Sequence, residues 1–567
     1  MAVPILRFIA VLLHCSLLCY AGGRLPIGGE AAIDDYIVEP TNFLGSWRVD
    51  SPNCGVSAMH MQLLPNNKLI MYDSTSNGLS EIKNDPPLCR GRVGGRPTDP
   101  QLDCTAHALE YDAETAQMRP LNLASSPWCS SGGMTKNGEL MSTGGDKDGF
   151  RAVRILKPCP NCQFEEKNLA LFSNRWYATD HPLENGTFAI VGGRDAYNYE
   201  LVPVDTLEFT PQIKALPLLA ETDDDAGREN NLYPFVNLLP DGNLFVFANY
   251  KSIVLNPYTG EAVRKFPDLA GSRNYPPSAM SALLPVDLSS GDPKYEVIIC
   301  GGNSRDAYIY SDLQQPNRTF LPALKDCQRI DLMKEGADWD SEDMPSPRVM
   351  GDMVILPTGD LLILNGAKAG TSAWNAADQP NMTPVLYTPN KPKGLRFKEL
   401  APTTVPRMYH SNAAVLPSAE ILIAGSNTNA FYMMPKYNDL FIFPTEMRTE
   451  KFTPPYLDPL LQDWRVEITG AADPIPMKYG GTFTLTVTTK KGPLLPPEVK
   501  VTMYSPPFTT HGYCQNQRLL ILSRKVSGNT LSVEAPPSGK VAPPGYYLIF
   551  VVRRGIPSRG VWARIDN

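Results

Sequence analysis

The chain repeats one pattern of polar and apolar positions: a short polar turn, then an apolar run that often ends at glycine. In segment 240–247, for example, Pro-Asp-Gly-Asn precedes Leu-Phe-Val-Phe. Asn-Gly and Asp-Gly turns supply the positive φ angles that tight hairpins need. The pattern recurs seven times, about 50 to 70 residues apart, with matching positions at Lys68, Glu139, Thr187, Asn243, Tyr295, Asp360 and Glu420.

This repetition predicts a β-propeller. Kelch-type blades repeat at about 50 residues, and inserted loops would lengthen some of them; ordinary hairpins of β-sandwiches are the alternative. We therefore predict an all-β protein whose residues 22–454 form an N-terminal extension and a seven-bladed kelch-like β-propeller. After about residue 455, strand-like runs at 483–488, 499–504 and 546–552 alternate with Pro/Gly turns, which predicts a C-terminal Ig-like β-sandwich at 455–567.

Composition excludes two classes of protein. The chain has 567 residues, 54 of them proline, and each proline inside a helix costs about 3 kcal/mol, so a helical bundle is excluded. The net charge of −7 comes without a basic stripe, so nothing favours nucleic acid as a partner.

The N-terminus predicts secretion. A mostly apolar run at 8–18 follows Arg7 and ends in small residues, which is the layout of a signal peptide at 1–21. A short membrane anchor is the alternative, but the run is short for a membrane span. Sequons at Asn185, Asn317 and Asn381 fit an extracellular, cell-wall location.

The cysteine count is odd once the signal peptide is removed. Cys15 and Cys19 leave with it, and nine of the eleven cysteines remain. In an oxidising compartment most cysteines pair, so one is left as a buried thiol, an intermolecular bridge or a group with another covalent role. Cys159 and Cys162 have the spacing of a redox or zinc motif, but a local disulfide is favoured because the chain has no second such pair and is predicted to be secreted.

Few residues could hold a metal or act as nucleophile. After His14 only five histidines remain, and the chain has no His-Glu-x-x-His, Walker loop or Gly-x-Ser-x-Gly elbow. Four segments stand out, the first three of them directly before repeat strands. They are 128–133 (Trp-Cys-Ser-Ser-Gly-Gly), 174–179 (Asn-Arg-Trp-Tyr-Ala-Thr), 407–411 (Arg-Met-Tyr-His-Ser) and 509–512 (Thr-Thr-His-Gly).

Taken together, Arg-Trp-Tyr at 175–177, Arg-Met-Tyr-His-Ser at 407–411 and Thr-Thr-His at 509–511 resemble the motifs of the copper-radical oxidases. The chain is more similar to the glyoxal oxidases than to galactose oxidase, over nearly the whole mature chain. The resemblance implies one copper ion bound by Tyr177, Tyr409, His410 and His511. It further implies that Cys129 forms a thioether bond to the ring of Tyr177, which holds a radical, and that Tyr409 is the base.

The residue types agree with this implied site. Imidazole nitrogen and phenolate oxygen suit Cu(II), and a phenol with a pKa near 10 needs a metal's charge to bind as phenolate at neutral pH. With Cys129 so used, eight cysteines remain, enough for four disulfides. Cys300 with Cys327 and Cys159 with Cys162 are plausible pairs; Cys54, Cys89, Cys104 and Cys514 stay open. His60, His107 and His181 are interpreted as structural or surface residues. Arg175 and Trp176 are interpreted as residues that shield Tyr177, contact substrate or pack.

The function implied by the resemblance is oxidation of small, glyoxal-like aldehydes to carboxylic acids, with reduction of O2 to H2O2. The alternatives are an alcohol or galactose oxidase acting on cell-wall sugars and a non-catalytic, carbohydrate-binding propeller. The expected partners are therefore a small aldehyde or alcohol and O2, with cell-wall carbohydrate as a further candidate.

Overall fold

The structure, a computed structural model, describes residues 37–92, 94–95, 97–203, 207–224, 229–312, 317–434 and 443–566. The predicted signal peptide at 1–21 lies outside this part of the chain. The described elements are nearly all strands. The short helical elements are Lys147–Gly149, Pro217–Glu221, Ala307–Ser311, Pro455–Leu457, Pro459–Trp464 and Pro496–Glu498.

Seven sheets in the described residues carry the four antiparallel strands of a propeller blade. Their strands, from first to fourth, are His60–Leu63, Lys68–Tyr72, Ala108–Asp112 and Met118–Leu121 in blade 1; Ser131–Met134, Leu140–Thr143, Val153–Leu156 and Glu165–Lys167 in blade 2; Thr179–Pro182, Phe188–Val191, Asn198–Val202 and Gln212–Ala215 in blade 3; Phe235–Leu238, Leu244–Ala248, Lys251–Leu255 and Ala262–Lys265 in blade 4; Met280–Leu283, Glu296–Cys300, Asp326–Asp331 and Asp340–Asp343 in blade 5; Asp352–Ile355, Leu361–Leu364, Val385–Tyr387 and Phe397–Glu399 in blade 6; Ser411–Val415, Ile421–Gly425, Thr449–Thr453 and Ser46–Ser51 in blade 7.

The repeated apolar runs of the sequence form the second strand of every blade, so the predicted seven-bladed propeller is confirmed. These strands are buried along their length, as in Leu361–Leu364. They are apolar on both faces because each blade packs against a blade on either side. These second strands therefore lack the alternation of apolar and polar residues that is typical of a half-exposed strand.

The ring closes between distant parts of the chain. Strand Ser46–Ser51 pairs with Thr449–Thr453, so the first described strand completes the last blade. Trp47 lies opposite Phe452, and their ring centroids are 4.8 Å apart. The sequence pattern did not predict this strand.

Buried arginines connect the turns that precede blades 3, 5 and 7 to the second strands of the same blades through hydrogen bonds. Arg175, Arg273 and Arg407 each donate to the carbonyl of the glycine that follows or ends a second strand, at 2.6–2.7 Å. Each guanidinium also pairs with a carboxylate. The partners, in the same order, are Gly192, Gly301 and Gly425 for the carbonyl and Glu200, Asp326 and Glu450 for the carboxylate.

The C-terminal part forms two sheets. One holds Glu467–Thr469, Thr482–Thr488, Thr530–Glu534 and Arg524–Ser527; the other holds Val286–Asp287, Arg518–Leu522, Val499–Ser505, Gly545–Arg553, Val561–Asp566 and Ile475–Lys478, with Ile556–Pro557 at its side. In Thr482–Thr488 buried and exposed residues alternate, as expected for a sheet with one face in a core. Leu485 and Val533 of the smaller sheet share a core with Val501 and Ile549 of the larger one. The boundary at 454/455 stays a prediction.

One hairpin of the C-terminal region leaves the sandwich and joins the propeller. Strands Phe508–Thr510 and Tyr513–Gln515 extend the sheet of blade 1, with Thr510 directly opposite His60. The hairpin also contacts the first strands of blades 2, 3, 5, 6 and 7. Its tip therefore lies at the centre of the ring, where it carries His511.

Three disulfides form among the described residues rather than the four that the cysteine count allows. They are Cys89–Cys104, Cys159–Cys162 and Cys300–Cys327, while Cys54, Cys129 and Cys514 are buried free thiols. The Cys54 thiol contacts the carbonyl of Val56 at 3.1 Å, and Cys514 lies in the central hairpin. Pairing of Cys89 with Cys104 was left open by the sequence, and Cys54 and Cys514 take no part in a bridge.

Two further strand pairs, Arg90–Gly91 with Leu102–Asp103 and Ala367–Gly370 with Ala377–Pro380, extend loops of blades 1 and 6. In the described part of the chain, no helix has the length and apolar character needed to cross a membrane.

Candidate metal centre

Four of the five predicted site residues have a left-handed backbone conformation. Cys129, Tyr177 and His410 lie one or two residues before the first strands of blades 2, 3 and 7, with φ of 55°, 66° and 66°. His511, between the two strands of the central hairpin, has φ of 52°. Non-glycine residues rarely adopt this conformation, which costs of order 1–3 kcal/mol and is often found at functional sites.

The two predicted histidine ligands face each other. His410 Nε2 and His511 Nε2 are 3.0 Å apart, and the Cys129 thiol lies 3.2 Å from His511 Nε2. The candidate ligand atoms of these three buried residues all lie within 4.8 Å of one another. The structure thus brings together side chains that are 382 residues apart in sequence.

Three phenols lie beside the histidines. The Tyr275 hydroxyl is 3.2 Å from the Tyr177 hydroxyl and 3.0 Å from the Tyr409 hydroxyl. The Tyr275 ring also stacks on the Tyr177 ring, with centroids 4.4 Å apart. Tyr409 stacks on His410 at 3.7 Å. All five predicted site residues therefore belong to one buried cluster, to which Tyr275 is added.

Burial opposes ionisation of every group in this cluster. It raises the pKa of the phenols of Tyr177 and Tyr409 well above the ordinary value, and neighbouring Cys129 and Tyr275 add to the effect. It lowers the pKa of His410 and His511 well below the ordinary value. The apo site therefore holds neutral imidazoles and neutral phenols, and a bound cation would be needed to turn a phenol into phenolate.

The observed donor set fits copper. Two imidazole nitrogens and two phenol groups lie in one buried cluster, and nitrogen with oxygen donors is a set that Cu(II) prefers. No acidic residue is part of the cluster among the described residues. The site is thus unlike the all-oxygen sites of calcium or magnesium.

An aromatic wall covers one side of Tyr177. Trp176 lies 5.0 Å from the Tyr177 ring, Trp128 lies 5.5 Å from Trp176, and Trp374 stacks on Trp128 at 5.2 Å. The guanidinium of Arg194 lies over Trp176 at 4.7 Å. Among the described residues, the three indole N–H groups have no hydrogen-bond partner.

Comparison with known proteins identifies the family. The family model "Glyoxal oxidase N-terminus" matches residues 59–456, and "Galactose oxidase-like, Early set domain" matches residues 465–565. The chain belongs to the glyoxal oxidase family.

Similar proteins agree with this family. "Aldehyde oxidase GLOX1" of Arabidopsis thaliana is 46% identical over 92% of this chain and 85% of that protein. "Aldehyde oxidase GLOX" of Vitis pseudoreticulata is 38% identical over 94% of this chain and 99% of that protein. A fungal alcohol oxidase of the AA5 family, solved in complex with copper, aligns with a TM-score of 0.71 at 17% identity, over 92% of this chain and 100% of that one. The predicted family and the prediction of a copper oxidase are therefore confirmed.

For this glyoxal oxidase family member, sequence reasoning missed Tyr275. The signal was present, because Arg273-Asn-Tyr275 repeats the spacing of Arg175-Trp-Tyr177 and places its tyrosine before blade 5. Arg175 itself is a structural residue: it is fully buried and bound to Glu200. Trp176 contacts the Tyr177 ring, so it belongs to the surroundings of the site.

Proposed function

We propose that the protein oxidises small aldehydes to carboxylic acids and reduces O2 to H2O2. The observation that carries the proposal is the convergence of Tyr177, Tyr409, His410 and His511 around facing imidazole nitrogens 3.0 Å apart, with Cys129 beside them. The family match over residues 59–456 supports the same reaction. The overall change is a hydrated aldehyde plus O2 giving a carboxylic acid plus H2O2.

Tyr177, Tyr409, His410 and His511 would hold the copper ion. Copper, when bound, supplies an open position for the substrate oxygen and accepts one electron. Oxidation of an aldehyde removes two electrons, so a second redox group is required. We assign the role of this second redox group to Tyr177, joined to Cys129 by a thioether bond and oxidised to a radical.

Each tyrosine has its own task in this proposal. Tyr409 accepts a proton from a hydroxyl of the hydrated aldehyde, and the Tyr177 radical takes a hydrogen atom from its carbon. Both phenols lie in a buried cluster, which excludes bulk water and protects a radical from side reactions. O2 afterwards takes up both electrons and both protons as H2O2.

The substrate is proposed as an aldehyde rather than a galactosyl alcohol. The aldehyde oxidases of Arabidopsis and Vitis align over at least 85% of their own length.

We also propose that the protein acts outside the cell, in or near the wall, after removal of residues 1–21. Asn185 and Asn317 are exposed and open to glycosylation. Asn381 is buried, and its amide donates to Ser346 and Pro347, so this sequon would stay unmodified in the folded protein.

Peptide mass spectrometry tests the proposal. Copper-loaded protein is reduced, alkylated and digested, and the peptides that contain Cys129 and Tyr177 are sought. We expect them to travel together, two hydrogens lighter than their sum, because forming the thioether removes the thiol hydrogen and one ring hydrogen, with O2 as oxidant.

Two controls make the result specific. Protein prepared without copper should yield Cys129 as an alkylated thiol, and Cys129→Ser should bind copper without forming the link. Free Cys129 after full copper loading would refute the radical mechanism and favour the carbohydrate-binding propeller.

A further inference from the structure

A line of hydrogen bonds leads from His511 away from the metal centre. His511 Nδ1 lies 2.6 Å from Thr510 Oγ1, Thr510 Oγ1 lies 2.7 Å from His60 Nδ1, and His60 Nε2 lies 2.9 Å from the carbonyl oxygen of Pro127. His60 and Thr510 are completely buried, and His511 is 3% exposed. From the sequence, His60 is interpreted as a structural or surface residue.

The direction of each hydrogen bond follows from its acceptor. The Pro127 carbonyl can only accept, so His60 Nε2 carries a hydrogen. Burial lowers the pKa of His60 to about 3, so the ring is neutral and its Nδ1 accepts the hydroxyl hydrogen of Thr510. The oxygen of Thr510 then accepts from His511 Nδ1–H.

A second possible acceptor for the Thr510 hydroxyl leads to the same protonation of His511. Thr510 Oγ1 also lies 3.1 Å from the carbonyl of Met59. A hydroxyl hydrogen directed there still leaves the oxygen to accept from His511. In both arrangements His511 Nε2 has no hydrogen, and its lone pair faces His410 Nε2 at 3.0 Å.

We propose that Thr510 and His60 are positioning residues that hold His511 in the Nδ1-protonated tautomer and turn its Nε2 lone pair toward the metal. This inference rests on the proposed function only in taking His511 as a metal ligand. Metal-binding histidines usually donate their second N–H to such an acceptor, and losing it typically weakens metal affinity or activity by about 10–100-fold.

The fold makes this arrangement possible by pairing the hairpin with blade 1. His60 lies opposite Thr510 in the antiparallel register, so their side chains leave the same face of the sheet. Pro127 lies two residues before Cys129, so the hydrogen bonds connect the hairpin that carries His511 to the turn that carries Cys129.

Copper affinity of the full chain, measured by titration against a competing chelator, tests Thr510. We expect Thr510→Val to weaken copper binding by about 10–100-fold and Thr510→Ser to restore it, because serine keeps the hydroxyl. Thr509→Val is the matched control: Thr509 is the buried neighbour in the same strand, but its hydroxyl donates to the Ala413 carbonyl. This control should bind copper like the wild type.

Nitrogen NMR of metal-free protein labelled with 15N-histidine tests His60, and the chain has only six histidines. We expect the wild type to show His511 protonated at Nδ1. In His60→Phe the freed Thr510 hydroxyl divides between the Met59 carbonyl and His511 Nδ1, so a second population protonated at Nε2 should appear. A single population protonated at Nδ1 in this variant would show that His60 has no positioning role.

Three results would overturn the proposal: unchanged copper affinity in Thr510→Val, an equal loss in Thr509→Val, or His511 protonated at Nε2 in the wild type. Failure of the proposed function is recognised separately. If His511→Ala binds copper as tightly as the wild type, His511 is not a ligand, whatever the Thr510 variants show.

Discussion

Removing one partner of the buried ion pair between Arg175 and Glu200 should strongly destabilise the turn that carries Tyr177. Neither side chain is exposed. Glu200 Oε1 accepts from Arg175 Nε at 2.9 Å and Nη2 at 2.6 Å. Its carboxylate also accepts from the backbone N–H groups of Phe172 and Ser173. Glu200→Leu would leave the guanidinium buried without a counter-charge.

The expected cost follows from this burial. Removing one partner of a buried pair costs about 3–5 kcal/mol because an uncompensated charge remains, whereas replacing both by apolar residues is often close to neutral. Glu200→Leu should therefore lower the free energy of unfolding by about 3–5 kcal/mol. The double variant Arg175→Met/Glu200→Leu should lose less than Glu200→Leu alone.

The measurement is urea unfolding of metal-free protein, followed by tryptophan fluorescence. The exposed pair Lys157–Glu165, with side chains 50% and 59% exposed, provides the control, and Lys157→Met should leave the free energy of unfolding almost unchanged. A cost for Glu200→Leu as small as this, or additive costs in the double variant, would refute the reasoning.

Two further substitutions test buried hydroxyl and carboxyl groups. Tyr275→Phe removes the hydroxyl between Tyr177 and Tyr409. A hydrogen bond stabilises a phenolate more than a radical, so oxidation of Tyr177 should become easier by about 1.5–3 kcal/mol, as measured by potentiometric titration of the radical absorption. Tyr233→Phe is the control: its hydroxyl donates to the Ser130 carbonyl, and its loss should leave the oxidation of Tyr177 unchanged. Burial raises the pKa of Asp352 to about 7, so its folded state favours the protonated form and loses stability as pH rises through 7. Asp352→Asn should match the wild type in urea unfolding near pH 4 and exceed it at pH 8 by about 4 kcal/mol; an equal difference at both pH values would contradict this.

Much of the fold could be predicted because each blade repeats the same local pattern. The turn at Asn243 joins the first two strands of blade 4 into a hairpin from local sequence alone, and a similarly short turn does so in every other blade except blade 5, where a longer segment separates Met280–Leu283 from Glu296–Cys300. Counting these hairpins predicts the number of blades. Closure by Ser46–Ser51 could not be counted, because that strand has no turn partner nearby and pairs with Thr449–Thr453.

At the centre of the propeller, too, local motifs could be recognised from the sequence but their spatial arrangement could not. Motifs around Cys129, Tyr177, Tyr409, His410 and His511 marked candidate residues, but their meeting depends on ring closure and on a hairpin from the C-terminal region. Tyr275, Thr510 and His60 gain their roles from partners far away in sequence. The sequence by itself showed only which residue types were present.

Residue order alone determined the strand repeat and the cysteine count, because each depends on local pattern or composition, whereas the candidate copper ligands were marked by resemblance to a known family. Tertiary structure alone decided which cysteines pair, which tyrosine lies between Tyr177 and Tyr409, and which nitrogen of His511 faces His410. The physical reason is that a disulfide, a stacked ring and a hydrogen bond each depend on distances of a few ångströms, and the folded ring sets those distances between residues hundreds of positions apart.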